Sequence, residues 1–123
     1  MRRERSDEPP GERDVELERP ARPDRVWVCA ACGTAVTTPS AAIQVEGRHR
    51  HYGVNPAGHG FAIGCFSRAD GDAVGPSVLE DTWFEGYAWT IFVCARCRRH
   101  LGWRYDGPTR FFGLIFAHLA ERE

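Results

Sequence analysis

The chain has 123 residues, a formal net charge of −1 and 27% charged residues, which bounds it to one domain with a modest core and leaves no global field to draw in nucleic acid or an acidic membrane. No apolar run approaches the roughly 20 residues a membrane span needs, and no apolar stretch follows the N-terminal arginines, which argues against a secretory signal. The expected location is therefore cytoplasmic and reducing, where five cysteines with four in Cys-x-x-Cys pairs point to a metal rather than to disulfides.

Residues 1–25 are polar, rich in alternating charge and hold four of the eight prolines without one aromatic residue. Such a segment buries too little apolar area to offset its ordering entropy, and a disordered charged tail is expected there. The domain is expected over residues 26–123. Val26-Trp27-Val28 reads as a short strand entering Cys29-Ala30-Ala31-Cys32-Gly33, a knuckle of two thiolates followed by a turn glycine. A strand is expected around Ala41 to Val45, and a polar turn over Glu46 to His51. Asn55-Pro56-Ala57-Gly58-His59-Gly60 has the composition of a fixed irregular loop.

Phe61 to Phe66 fits a short buried strand carrying Cys65, and Arg68 to Pro76 reads as loop. Trp89-Thr90-Ile91-Phe92-Val93 is the clearest strand, β-branched and aromatic. It feeds Cys94-Ala95-Arg96-Cys97, the second knuckle, and Leu101 to Tyr105 leaves that knuckle as another strand. Phe111 to Phe116 is the final strand, after which the chain frays or forms a helical turn. The fold class is all-β, with few helix signals.

Cys29, Cys32, Cys94 and Cys97 form two Cys-x-x-Cys pairs 61 residues apart. Four thiolates suit a closed, tetrahedral, structural Zn²⁺ and leave no open position for catalysis. The long gap means that the metal joins distant hairpins. Arg96, Arg98 and Arg99 are placed to offset the negative charge of the cluster. His100 is expected beside the site or on the surface, not as a ligand. Cys65 is most simply a small buried apolar residue.

Trp83, Trp89, Trp103 and Tyr105 make the second cluster. Trp103 and Tyr105 are two apart on one strand and share a face, and the knuckle folds the strand of Trp89 back beside them. These aromatics are either core residues or the walls of a small pocket. The density of indoles, each with an N–H that wants a partner when buried, favours the pocket.

The stretch TWFEGYAWTIFVCARCRRHLGWRYDG resembles the thalidomide-binding (CULT) domain of the cereblon family, above all its small stand-alone bacterial relatives. The matched positions are Thr82-Trp83-Phe84, Gly86-Tyr87, Trp89-Thr90, Cys94, Cys97, His100-Leu101-Gly102-Trp103, Tyr105 and Phe111-Phe112-Gly113-Leu114, and Asn55-Pro56-Ala57-Gly58 matches the family's loop. The resemblance spans about residues 26 to 119. It implies a β-tent: two antiparallel sheets at a steep angle, pinned by the four-cysteine zinc site. It implies a cage with Trp83, Trp89 and Trp103 as walls and Tyr105 at its base. Backbone groups near Asp81, Thr82 and Trp83 would meet the ligand's polar edge, and the Asn55-Pro56 loop would close the open side. The implied ligands are cyclic imides such as glutarimide and thalidomide analogues, C-terminal cyclic imides, and uracil-type rings.

One departure stands out. Asp81-Thr82 occupies the place where relatives often carry His-Ser or Phe-Ser. No enzyme activity, nucleic acid, membrane or ubiquitin-ligase adaptor is expected as a partner, because the 25 residues before the domain cannot supply the parts of cereblon that dock on the ligase. Two alternatives remain open at this point. One is a cage for quaternary ammonium or methyl-lysine with Asp81 and Glu85 nearby. The other is a methionine-sulfoxide-reductase-like enzyme using Cys65.

Overall fold

The computed structural model describes residues 25–123, so the expected charged tail lies, apart from Arg25, outside the described residues. Among the described residues nine strands form two antiparallel sheets. The smaller has the order β2-β1-β9, with β1 at Val26–Cys29, β2 at Ala35–Thr37 and β9 at Leu119–Arg122. The larger has the order β3-β4-β8-β7-β6-β5. Its strands are β3 (Arg50–Val54), β4 (Gly60–Phe66), β5 (Asp72–Val78), β6 (Ala88–Val93), β7 (His100–Asp106) and β8 (Arg110–Ile115). Two single 3-10 turns, Pro39–Ala41 and Phe116–His118, are the helical elements among the described residues. The all-β expectation holds.

Two apolar clusters divide the core. The first gathers Val36, Phe66, Phe92, Leu101, Leu114 and Leu119 around Cys29 and Cys94, joining the small sheet to the large one. The second gathers Ile63, Cys65, Phe84, Trp103, Tyr105, Phe111 and Ile115, with Trp83 and Trp89 packed against it. Alternation along the strands generates this split, since Phe112 and Leu114 join one cluster while Phe111 and Ile115 join the other.

The strand boundaries differ from the expectations in four places. Residues 41–45 make only single bridges, Ala42 to Phe66 and Val45 to Arg48, because Pro39 starts a 3-10 turn there and the strand falls earlier, at Ala35–Thr37. The polar turn ends before Arg50, and β3 is an edge strand whose Arg50, Tyr52 and Val54 are exposed. The supposed loop over 68–76 contains most of β5, the opposite edge, whose Gly75-Pro76 falls in an irregularity between Val74 and Val78. Proline is tolerated at such an edge because no ladder hydrogen bond is lost. The chain end forms β9, which pairs with β1 from Val26–Arg122 to Cys29–Leu119.

Candidate functional site

The two knuckles are built alike. In the first, Cys29 N–H donates to the Thr34 carbonyl and Gly33 N–H to the Cys29 carbonyl, both at 2.8 Å. In the second, Cys94 N–H donates to the Arg99 carbonyl at 2.8 Å and Arg98 N–H to the Cys94 carbonyl at 3.0 Å. The fifth residue of each turn is left-handed, Gly33 at φ 79° and Arg98 at φ 68°. The four Sγ atoms lie within 4.8 Å of one another, with Cys29–Cys97 and Cys32–Cys94 each at 3.6 Å. Four thiolates about 2.3 Å from one ion would stand about 3.8 Å apart, so the cluster fits a tetrahedral metal.

Neighbouring donors favour thiolates unevenly. The Thr34 hydroxyl, 3.1 Å from Cys32 Sγ, and the Thr34 N–H lower the Cys32 pKa to about 6. Burial works against Cys94, but the N–H groups of Cys97 and Arg96 prevail and lower it. The Arg99 N–H pulls Cys97 down, yet burial and the adjacent sulfurs raise it to about 11. Of the three arginines expected to offset the cluster's charge, Arg98 pairs instead with Asp72 at 2.5 Å.

The aromatic residues surround a cavity of about 300 Å³ lined by Asn55, Pro56, Phe61, Asp81, Trp83, Trp89, Ile91, His100, Trp103 and Tyr105. Strand register explains four of these. Trp89 lies opposite Tyr105 and Ile91 opposite Trp103 across β6 and β7, so the four share one face. Trp83 comes from the β5–β6 loop and meets Trp103 edge-on, with ring centroids 4.9 Å apart. Its Nε1 donates to the Val54 carbonyl at 3.2 Å, and Trp89 Nε1 donates to the Glu80 carbonyl at 2.8 Å. Two indoles are thus fixed by backbone acceptors and present their rings. Tyr105 forms the floor, stacked on Phe111 at 5.0 Å and edge-on to Phe84 at 4.9 Å. Burial raises its pKa, so the phenol is a neutral hydroxyl.

At the mouth, Asn55 Oδ1 accepts from the His59 N–H at 2.9 Å. That bond ties the amide to the loop, and the NH₂ group has no partner among the described residues. Asp81 is left-handed at φ 61°. Neither Asp81 nor Trp83 makes a backbone hydrogen bond among the described residues, whereas Thr82 N–H donates to the Leu79 carbonyl at 3.3 Å. Thr82 is the one expected site residue that does not line the cavity. Its hydroxyl accepts from the Phe84 N–H at 3.3 Å and holds the loop.

No family model matches the chain. Curated relatives do. It is 38% identical to protein cereblon of Danio rerio over 71 residues, half of this chain and 16% of that protein. It is 33% identical to protein cereblon of Gallus gallus over 78 residues, 56% of this chain and 17% of that protein. Against protein cereblon of Drosophila willistoni it is 30% identical over 102 residues, 74% of this chain and 16% of that protein. The chain carries a cereblon-like (CULT) domain. It spans about a sixth of the length of these relatives.

Within this cereblon-like domain, three lining residues had not been expected. Ile91 follows from register. Phe61 starts the inner part of β4 and meets Trp103 edge-on at 5.4 Å. His100 is the informative one. Simple alternation puts residues 100 and 103 on opposite faces, but the pairing shifts between Phe92–Gly102 and Val93–His100, leaving Leu101 as an extra residue. The bulge turns Leu101 into the first core cluster and brings His100 edge-on to Trp103 at 4.8 Å. Gly102 makes it possible, since a Cβ there would collide with the Gly113 carbonyl. His100 Nε2–H donates to the Gly102 carbonyl at 2.9 Å. Burial lowers its pKa despite that bond, and His118 adds to the lowering.

Cys65 is fully buried in β4, and burial pushes its thiol up to about 12. The attacking form of a cysteine nucleophile is the thiolate, and burial disfavours that form at Cys65. No helix among the described residues is long and apolar enough to cross a membrane.

Proposed function

We propose that the cereblon-like domain captures cyclic imides in the indole-walled cavity. The observation that carries this reading is one combination. Three indoles and a buried tyrosine line a small cavity whose rim, at Asp81 and Trp83, carries backbone donors and acceptors with no partner among the described residues. A glutarimide has the complementary form: apolar CH₂ faces for the indoles, and one N–H between two carbonyls for the backbone edge. The free NH₂ of Asn55 supplies a further donor on the open side. An imide edge left unmet costs about 1–3 kcal/mol, which is the source of selectivity over plain cycloalkanes. A ring of about eight heavy atoms gains at best on the order of 1 kcal/mol per atom, so micromolar affinity is expected.

The metal of the four-cysteine cluster is, in this reading, Zn²⁺ held by Cys29, Cys32, Cys94 and Cys97. Bound there it supplies cross-linking of the small sheet to the β6–β7 turn, and no catalysis, because all four positions are filled.

The test is a tryptophan-fluorescence titration with glutarimide, uridine and tetramethylammonium, on the native chain, on Trp103→Ala and on the milder Trp103→Phe. Micromolar quenching by glutarimide that is lost in Trp103→Ala and weakened in a folded Trp103→Phe supports the imide cage. A response to tetramethylammonium alone transfers the site to quaternary ammonium ligands, and silence from all three returns the tryptophans to the core.

A further inference from the structure

The cavity has a sign that the binding of a neutral imide does not require. Among its ten lining residues Asp81 is the only carboxylate, and no arginine is present. Asp81 is also exposed, which places it at the mouth rather than the floor. Among the described residues its carboxylate has no ion-pair partner, as is also true of Glu46, Asp70, Glu80 and Glu85, whereas Asp72, Asp106, Glu121 and Glu123 each have one. Of the unpaired carboxylates Asp81 alone lines the cavity. The surrounding chain does not compensate. From Ala73 to Ala95 there are three acidic residues, Glu80, Asp81 and Glu85, and no basic one. The other titratable lining group besides Tyr105, His100, is held toward its neutral form by burial. The indole faces add the negative side of their quadrupoles. A carboxylate at an aromatic rim, unpaired and in a basic-free segment, costs nothing to leave in water and gains from a cation brought to it by a ligand.

We infer that this site selects cyclic imides that carry a positive charge on the ring's exocyclic substituent, with Asp81 as the residue that reads it at the cavity mouth. The inference rests on the imide reading and sharpens it. An ammonium beside the ring is the chemistry of a free amino-substituted imide. An imide at the end of a peptide presents a neutral amide at the same place. The site is therefore expected to favour the free, cationic form. Because the pair is partly solvated, its contribution is modest, about three- to tenfold in affinity at low salt.

The test uses three glutarimides bearing the same short substituent, ending in trimethylammonium, in the isosteric neutral tert-butyl group, or in sulfonate. Unsubstituted glutarimide is the reference. Each is titrated by tryptophan fluorescence against the native chain and against Asp81→Asn, at about 0.01 M and about 1 M salt, where the screening length falls from about 30 to about 3 Å. Asparagine tolerates the left-handed backbone of Asp81, so the variant keeps its fold. The expected order is trimethylammonium over tert-butyl over sulfonate, with the first gap about three- to tenfold at low salt. That gap, taken as the ratio of the two affinities within each protein so that any general change in imide binding cancels, closes in Asp81→Asn and at high salt. Equal affinities of the trimethylammonium and tert-butyl compounds for the native chain overturn the inference and leave the imide cage standing. A gap that persists in Asp81→Asn assigns the preference to the indoles and overturns the role of Asp81. Failure of unsubstituted glutarimide to bind overturns the imide reading and this inference together.

Discussion

The indole of Trp83 rests against Gly53, the residue of β3 that has no side chain. A Cβ on Gly53 would collide with the fused-ring carbons of Trp83, and the adjacent Val54 carbonyl accepts the indole N–H at 3.2 Å. One wall of the cavity is therefore positioned by an edge strand distant in sequence. Gly53→Ala is expected to displace Trp83 and weaken glutarimide binding at least about tenfold, a loss on the order of 1.4 kcal/mol, while the protein still melts cooperatively. Paired titrations and thermal melts of the variant and the native chain check this, and an unchanged affinity would show that the seat of Trp83 is irrelevant to the cage.

Two of the four sulfurs belong to the apolar cluster that joins the sheets, since Cys29 and Cys94 are buried among Val36, Phe92, Leu101 and Leu119, and Cys32 packs against it while Cys97 is exposed. Metal binding and folding are then one equilibrium. The purified chain is expected to hold one zinc per molecule. Strong chelation or Cys94→Ser is expected to abolish the cooperative melt, whereas Cys65→Ser keeps the full metal content. Elemental analysis beside circular dichroism measures both, and retention of zinc by Cys94→Ser would exclude the four-thiolate site.

The repeated knuckle geometry predicts an asymmetry between its two left-handed positions. Gly33→Ala forces a side chain into φ 79° and is expected to cost about 1–2 kcal/mol. Arg98→Gly removes the same strain from the second knuckle and loses only an exposed pair with Asp72, worth about 0–1 kcal/mol. Its stability is expected to stay close to native. Denaturant unfolding of both variants decides it, and a large loss in Arg98→Gly would mean that the Asp72 pair matters more than its exposure implies.

What the sequence makes legible follows from how each residue is held. The knuckles are visible because metal geometry fixes the spacing of Cys29, Cys32, Cys94 and Cys97. The shared face of Trp103 and Tyr105 is visible because β7 alternates regularly beyond Gly102. Strands β2, β3, β5 and β9 are not, because they are short or lie at sheet edges, and their pairing depends on neighbours rather than on their own pattern. His100 escapes for a different reason. One inserted residue reverses its face, and nothing in the pattern His-Leu-Gly-Trp marks the bulge except the glycine. Thr82, adjacent to two cavity residues, is turned to the loop instead.

That reversed histidine gives the domain a pH response. Burial disfavours the imidazolium of His100, so its pKa in the folded chain lies below the value of about 6.5 expected unfolded. The unfolded chain then binds more protons between the two values, and stability falls as the pH drops from about 6.5 toward the folded pKa. Below that value the penalty is constant. His100→Gln keeps a donor for the Gly102 carbonyl but cannot titrate. It is expected to be near native in stability at pH 8 and to lose less than the native chain on going to pH 5. Urea unfolding of both proteins at the two pH values isolates the effect as a difference of differences, which also cancels acid release of the metal. Parallel losses in the two proteins would mean that His100 titrates alike in the folded and unfolded chains, and that the bulge leaves it open to water.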